Sequence, residues 1–140
     1  MPYLQAVYWD IDGTIANTEL EAHLPAFNNS FKDLSLDWYW DKKTYLDLLK
    51  INGGRNRISF FAKQKSIDIS NDFVIQIHKK KQEHYLNLVN SGVVSLKTGV
   101  NRLIKELSFK NVRQFIVTSS SRNQVELLVS KLFNDKNLFE

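Results

Sequence analysis

Hydrophobic and polar residues alternate in three different ways along the chain. Residues 3–9 (YLQAVYW) are aromatic and β-branched without a helical period, which predicts a short buried strand. From about residue 17 to residue 91 the pattern predicts only helices. After residue 92, two amphipathic helices are predicted on either side of a second strand at residues 112–118. The apolar positions that define these two helices are Val100, Leu103, Ile104 and Leu107, then Val125, Leu128, Val129 and Leu132.

Polar residues and glycines predict where several helices begin and end. Thr18 with Glu21, and Ser121 with Gln124, have the spacing of a capping box. Single N-caps are predicted at Asp41 for a helix over residues 42–50, and at Ser70 for a longer helix. Pro25 is expected to kink or end the first helical segment. Gly53 and Gly54 are expected to end the helix that begins after Asp41.

The order of predicted elements is strand, helical block, helix, strand, helix. This order predicts an α/β fold class with a parallel sheet that is interrupted after its first strand by an all-helical insertion. The predicted core comprises residues 1–16 and 92–140, and the predicted helical cap comprises residues 17–91.

Composition narrows the class of protein. The chain has 140 residues, of which 43% are hydrophobic, as in one globular domain or a small domain with an insertion. No window resembles a membrane span or a signal peptide, so a cytoplasmic location and no membrane partner are expected. Because the sequence has 0 cysteines, disulfides, thiolate metal sites and cysteine nucleophiles are excluded.

Charge is distributed unevenly along the chain. The net charge is +4, whereas residues 42–81 alone contain ten Lys and Arg against three acids, a local excess of +7. Such a segment can attract nucleic acid, an anionic membrane or a phosphorylated small molecule, although most of these lysines are expected on solvated helix faces. We expect the phosphorylated small molecule and no nucleic-acid partner.

The sequence "YWDIDGTIANTE" places two carboxylates two residues apart, directly after the first strand. In an open α/β sheet, ligands bind at the carboxyl ends of strands, where Asp10 and Asp12 would meet the hydroxyl-rich "TSSS" that follows the second strand. Paired carboxylates need a cation or a shared proton, and they suit Mg²⁺. An EF-hand loop is rejected because its sixth position would be Ile15 and a strand precedes it. A simple Asp-Gly turn is the plainer alternative.

Two motifs carry a family resemblance. "VYWDIDGTIANTE" resembles motif I of the haloacid dehalogenase (HAD) superfamily, and "FIVTSSS" resembles its motif II. The helical insertion resembles a type 1 cap, and "HLPAFNNSF", "LDWYW" and "INGGRNRI" resemble the CbbY-like, or β-phosphoglucomutase-like, branch. The resemblance implies a Rossmann-like core and a Mg²⁺-dependent phosphatase of sugar phosphates or sugar bisphosphates that works through an aspartyl-phosphate.

The resemblance also assigns roles within the core. Asp10 would be the nucleophile and Asp12 the acid/base, and both would contribute to the Mg²⁺ site. The motif II hydroxyl is assigned to Ser119, with Thr118 as the competing register. The phosphate-binding residues expected from motifs I and II are Gly13, Thr14, Ser119 and Ser120.

In the cap, the resemblance implies substrate contacts that include a Gly-Gly turn and two arginines, a suitable grip on a distal phosphate. For the glycines, an ordinary helix-helix turn is an equal alternative, and the role of His23 is left open. His78 and His84 are expected to be surface or packing residues. The predicted substrate-contacting set is Glu19, His23, Gly53, Gly54, Arg55 and Arg57.

The sequence departs from the family pattern near its end. The motif III lysine and motif IV acid would follow the second core helix, where neither Lys131 nor Lys136 follows a strand. The chain is therefore expected to be truncated, with low activity by itself and with self-association through an unpaired sheet edge. The alternatives to a phosphatase are a phosphomutase and a non-catalytic remnant that binds phosphorylated ligands or a partner chain.

Overall fold

The computed structural model describes residues 3–135 and 137–140 and divides into two compact units. The core unit contains the chain up to Glu21 and from Leu88 onward, and the cap unit is Ala22–Asn87. These junctions lie within a few residues of the predicted ones. Lys136 lies outside the described residues.

The elements alternate as expected for an α/β chain with a helical insertion. In order they are β1 (Ala6–Trp9), a π-helical turn (Glu19–His23), α1 (Leu24–Asp33), α2 (Lys42–Leu48), α3 (Gly54–Gln64), α4 (Asn71–Asn90), α5 (Val100–Phe109), β2 (Arg113–Ile116) and α6 (Arg122–Leu132). The predicted fold class is confirmed.

The core unit is built around a parallel pair of strands. β1 and β2 run in register from Ala6 opposite Arg113 to Trp9 opposite Ile116. Beyond β2, the Val117 N–H donates to the Trp9 carbonyl at 2.8 Å. This bond brings the two carboxyl ends together, which is the arrangement that the sequence predicts for the site.

A buried amide ties the strands to α5. Gln114 is 2% exposed, accepts from the Trp9 indole N–H at 3.0 Å, and donates through Nε2 to the Ile104 carbonyl at 3.0 Å. A buried polar side chain costs little when its groups are paired. The side of β2 that faces away from β1 carries one further bond, from the Glu140 N–H to the Gln114 carbonyl at 2.8 Å. Self-association through this edge stays a prediction.

The cap unit has its own apolar core, which is dominated by aromatic rings. Phe27 packs 4.6 Å from Trp40, and Trp40 packs 5.5 Å from Phe61, measured between ring centroids. Aromatic pairs at these separations add stabilisation beyond their buried area. The buried members of this core are Phe27, Phe31, Trp40, Tyr45, Leu48, Ile58, Phe61, Val74 and Ile77.

Two of the predicted N-caps are confirmed. The Asp41 carboxylate accepts from the Thr44 N–H at 2.7 Å, and this bond is the main cause that lowers the pKa of Asp41. The Ser70 hydroxyl accepts from the Phe73 N–H at 3.2 Å at the start of α4. Gly53 and Gly54 do not close α2, which ends at Leu48; they instead begin α3, with Gly53 at φ 87°.

Both predicted capping boxes are wrong. Ser121 makes no side-chain capping bond to α6. The Glu21 carboxylate accepts from the N–H and the hydroxyl of Ser95, at 2.7 and 2.9 Å, so it does not reach back to Thr18. The Ser95 hydroxyl also accepts from Asn17 Nδ2 at 2.8 Å. These tertiary bonds tie residues 17–21 to the segment that follows α4 and outweigh the local capping pattern.

The helices were compared with the requirements of a membrane span. None of those within the described residues combines the length and the apolarity that crossing a bilayer requires.

Candidate active site

The loop after β1 is a compact turn that fixes both candidate carboxylates. The Ile11 carbonyl accepts from the backbone N–H groups of Thr14, Ile15 and Ala16, at 3.3, 3.1 and 3.2 Å. Gly13 turns the chain at φ 74°, a conformation that glycine adopts without strain, and its N–H donates to the Ala16 carbonyl at 2.9 Å. The turn buries Ile11 and Ile15 while leaving Asp10 exposed, so the apolar residues anchor the loop.

The two carboxylates have different surroundings. Asp10 is exposed and accepts from the Thr14 hydroxyl at 2.8 Å. Asp12 is half-buried and accepts from two hydroxyls, that of the fully buried Thr18 at 2.7 Å and that of Ser120 at 2.6 Å. Because Ser120 follows β2, its bond to Asp12 joins the two strand ends directly.

Motif II is therefore placed beside motif I. The Ser120 N–H also donates to the Thr118 hydroxyl at 3.1 Å, which turns the chain toward α6. Ser119 is exposed and makes no hydrogen bond to the residues that the structure describes. The assignment of a phosphate-binding hydroxyl to Ser119 stays a prediction, whereas Ser120 is the residue of the hydroxyl-rich segment that contacts Asp12.

The core unit offers a magnesium ion two carboxylates. Within the described residues, no group of three or more His, Cys, Asp or Glu side chains is placed to hold a metal. Mg²⁺ commonly takes one or two carboxylates and fills its other positions with water and substrate phosphate. Asp10 and Asp12 are compatible with that mode of binding.

Glu19 lies beside this loop in the core unit. Its Cγ atom is 3.6 Å from the point that a side-chain Cβ at Gly13 would occupy. Glu19 is half-buried and begins the π-helical turn that leads to His23 in the cap unit. Its predicted substrate contact stays a prediction.

In the cap unit, the two predicted arginines differ in their bonding. Arg57 is half-buried, and its Nε donates to the Ile51 carbonyl at 2.9 Å, which fixes the turn before α3. Arg55 is exposed and has no hydrogen bond or ion pair to the described residues. Arg55 is therefore better placed than Arg57 to contact an anion.

The structure adds a residue that sequence reasoning missed. Lys81 is 4% exposed, and its ammonium group donates to His23 Nδ1 at 2.8 Å and to Gln82 Oε1 at 3.1 Å. It also lies 5.1 Å from the ring centroids of Phe27 and Tyr85. A lysine is rarely this buried, and the aromatic faces stabilise its charge.

The ring of His23 belongs to the same cluster. It stacks on Tyr85 with a centroid separation of 4.4 Å. Because the Lys81 ammonium donates to Nδ1, that nitrogen must be the unprotonated one. Lys81, Arg55 and His23 are the charged groups that act on the ring of His78. We call these four residues the cationic cluster.

A signal for Lys81 was present in the sequence. Lys81 lies four residues after Ile77 and four before Tyr85, both buried, so it occupies the apolar face of α4. The neighbouring Lys79 and Lys80 lie off that face. A cation at an apolar helical position indicates a specific partner more strongly than the same cation within a run of lysines.

Comparison with known proteins identifies the family. The model of the haloacid dehalogenase-like hydrolases matches residues 7–140. The chain belongs to this family. The CbbY protein of Rhodobacter capsulatus is 36% identical over 131 residues, which make up 94% of this chain and 57% of that protein.

Solved structures of family members agree. CbbY of Rhodobacter sphaeroides in complex with phosphate superimposes with a TM-score of 0.84 at 34% identity, over 98% of this chain and 61% of that one. A mutant of the same protein, in complex with xylulose-1,5-bisphosphate, superimposes with a TM-score of 0.84 at 33% identity, over 98% of this chain and 61% of that one. The chain therefore spans about three fifths of the length of these relatives.

Proposed function

We propose that the chain is the site-bearing part of a Mg²⁺-dependent phosphatase of sugar phosphates or sugar bisphosphates. The observation that carries the proposal is the contrast at the strand ends. Asp10 is exposed with one hydroxyl partner, whereas Asp12 is held by two. An accessible carboxylate beside an oriented one matches the needs of covalent phosphoryl transfer.

The reaction proceeds in two steps. A carboxylate oxygen of Asp10 attacks phosphorus, the ester P–O bond breaks, and Asp12 gives its proton to the leaving sugar oxygen. Asp12 then takes a proton from water as the water oxygen attacks the aspartyl-phosphate, which releases phosphate and restores Asp10. Thr18 and Ser120 keep the Asp12 carboxyl aimed during both steps.

A bound Mg²⁺, held by the Asp10 carboxylate and the backbone carbonyl of Asp12, would neutralise charge on the transferring phosphoryl group. The fit rests on the exposed carboxylate of Asp10, since one carboxylate with water and phosphate suffices for Mg²⁺ and the Asp12 carboxyl is needed for proton transfer. Gly13 and Thr14 shape this turn, because Gly13 leaves its outer side without a side chain and the Thr14 hydroxyl fixes Asp10.

The cationic cluster supports a substrate with a second anionic group. Arg55 is exposed beside Gly54 in the cap unit, and Lys81 brings a second positive charge. We propose that this cluster selects bisphosphates over monophosphates. The relative in complex with xylulose-1,5-bisphosphate supports a pentulose bisphosphate as one candidate.

The test of this proposal is formation of an Asp10 adduct. With Mg²⁺ and beryllofluoride, the wild-type chain should give a protein-bound ¹⁹F NMR signal that Asp10→Asn abolishes, because the amide lacks the anionic carboxylate oxygen that beryllium binds. Phosphate release from a panel of sugar phosphates is measured on the same samples. Phosphate release is expected to be low, because the chain spans about three fifths of its relatives. A wild-type chain that forms no adduct contradicts the proposal. Return of the phosphoryl group to a second sugar phosphate would identify a mutase instead.

A further inference from the structure

His78 of α4 packs directly against the start of α3. A Cβ built on Gly54 would lie 2.7 Å from His78 Nε2 and 3.3 Å from Cζ of Phe27, so the imidazole occupies the space that any side chain at Gly54 would need. Neither ring nitrogen of His78 has a hydrogen-bond partner among the residues that the structure describes, although the ring is half-buried. The glycine is required here for packing, and it leaves the ring beside Arg55.

The charges around His78 are positive. Burial, followed in order of influence by the charges of Lys81, Arg55 and, when it is protonated, His23, lowers the pKa of His78 to about 4. These three groups come from three different elements, α4, α3 and the π-helical turn, and none is a carboxylate. At neutral pH the His78 ring is therefore neutral and keeps a free nitrogen lone pair within a cationic cluster.

The other histidine of α4 shows the contrast. His84 Nε2 lies 2.7 Å from the Asp33 carboxylate of α1, so its ring already has an anionic partner. His78 lies six residues earlier, and the charged groups that act on its ring are all cationic. An anion bound beside His78 would give its ring the anionic partner that His84 finds in Asp33.

We propose that His78 is a specificity-determining residue that takes up one proton when a dianionic phosphate or sulfate group binds beside Arg55. This inference rests on the proposed function, because it assigns recognition of a substrate phosphate to the cap unit. The proton comes from solvent and adds to the unprotonated ring nitrogen. The imidazolium then donates a hydrogen bond to an oxygen of the anion, and no covalent bond of the anion breaks.

Electrostatics gives the expected size of the effect. An opposite charge within about 4–6 Å moves a pKa by roughly 1–3 units, so a bound dianion should bring His78 back to the ordinary range of histidine. By linkage, affinity for the anion then rises as pH falls. Between pH 8 and pH 5.5 we expect binding to tighten by about four- to tenfold.

Sulfate is the probe, because it remains a dianion throughout this pH range whereas phosphate does not. Isothermal titration of the 140-residue chain with sodium sulfate is run at pH 8 and pH 5.5, each in two buffers of different ionisation enthalpy. At pH 5.5 the buffer dependence of the heat should report uptake of about 0.7–0.9 proton per sulfate bound. At pH 8 the uptake should be near zero.

Two variants locate the proton. His78→Asn keeps a polar side chain of similar size and should remove the pH dependence of sulfate affinity, while His84→Asn should retain it. Circular dichroism verifies that both variants fold. In the wild type, ring resonances of His78 should titrate at higher pH with sulfate than without it, and those of His84 should not respond to sulfate.

Three results would overturn the inference. They are the absence of sulfate binding, binding without proton uptake at pH 5.5, and a pH dependence that survives His78→Asn. The measurement involves no catalysis, so loss of the Asp10 adduct overturns the phosphatase proposal without affecting this result. Conversely, an intact adduct with no proton uptake overturns only the role of His78.

Discussion

The two polar clusters of the molecule are built in opposite ways. In the core unit, two short carboxylates follow a strand and accept hydrogen bonds from the hydroxyls of Thr14, Thr18 and Ser120. In the cap unit, Lys81 lies 5.1 Å from the ring centroids of Phe27 and Tyr85, and the His23 ring stacks on Tyr85. One cluster is anionic and held by a backbone turn, and the other is cationic and held by side-chain packing.

The difference indicates a division of labour. Chemistry at phosphorus needs atoms fixed to fractions of an ångström, and a hydrogen-bonded turn at a strand end supplies that precision. Recognition of a charged group tolerates adjustment, and long side chains on helices provide it. We therefore expect substitutions in the core unit to change the rate of the chemical step and substitutions in the cap unit to change the choice of substrate.

The largest effect is expected from Asp12→Asn. Loss of acid/base catalysis should lower phosphate release by about 10²–10⁴-fold. The beryllofluoride adduct should persist, because Asp10 still offers its carboxylate oxygen. The two measurements distinguish the roles of the two carboxylates, since Asp10→Asn should lose both phosphate release and the beryllofluoride adduct. An Asp12→Asn protein with wild-type turnover would contradict the assigned roles.

A smaller effect is expected from Arg55→Ala. Loss of a charge-assisted contact should lower kcat/KM for xylulose 1,5-bisphosphate by roughly ten- to a hundredfold, with little change for an aryl phosphate that lacks a second anion. Arg57→Ala is the matched control, because its Nε already donates to Ile51 and its loss should lower Tm more than selectivity. Equal losses on both substrates with Arg55→Ala would show that Arg55 does not recognise the distal group.

The smallest effect concerns stability at acid pH. The pKa of His78 is about 4 when folded, below the ordinary 6.5, so the unfolded chain binds more protons between these values. Stability should fall as pH decreases from about 6.5 to 4, by about 1–2 kcal/mol once solvent screening of the half-buried ring is allowed for. Chemical denaturation at pH 7 and pH 4.5 measures the change. If His78→Asn loses as much stability as wild type over this interval, other groups are responsible.

Much of the fold was predictable because local signals and tertiary structure agree. The helical spacing after residue 92 gave α5 and α6, and Asp41 and Ser70 form the expected caps. The turn after β1 was also predictable, because Gly13 has few alternatives at its backbone angle. These features depend on residues within a few positions of each other.

The errors arose where a distant residue competes for a local side chain. Thr18 and Glu21 have the capping-box spacing, but Asp12 takes the Thr18 hydroxyl and Ser95 takes the Glu21 carboxylate. Gly53 and Gly54 fit the end of a helix by sequence alone, whereas they stand at the start of α3, where His78 packs against Gly54. No helical spacing rule reports such contacts, because the partners lie outside the helix, six residues away for Thr18 and Asp12 and 74 for Glu21 and Ser95.

The buried indole of Trp40 has an optical consequence. Its Nε1–H is the one buried side-chain polar atom without a hydrogen-bond partner among the described residues, and the ring is enclosed by Phe27, Phe31 and Phe61. An indole in such surroundings fluoresces at shorter wavelength than one that is hydrated or hydrogen-bonded. Trp9 belongs to the other unit and donates to Gln114. A Trp9→Phe chain, with Trp38 also replaced by Phe, would therefore carry a single emitter whose red shift reports opening of the cap interior alone.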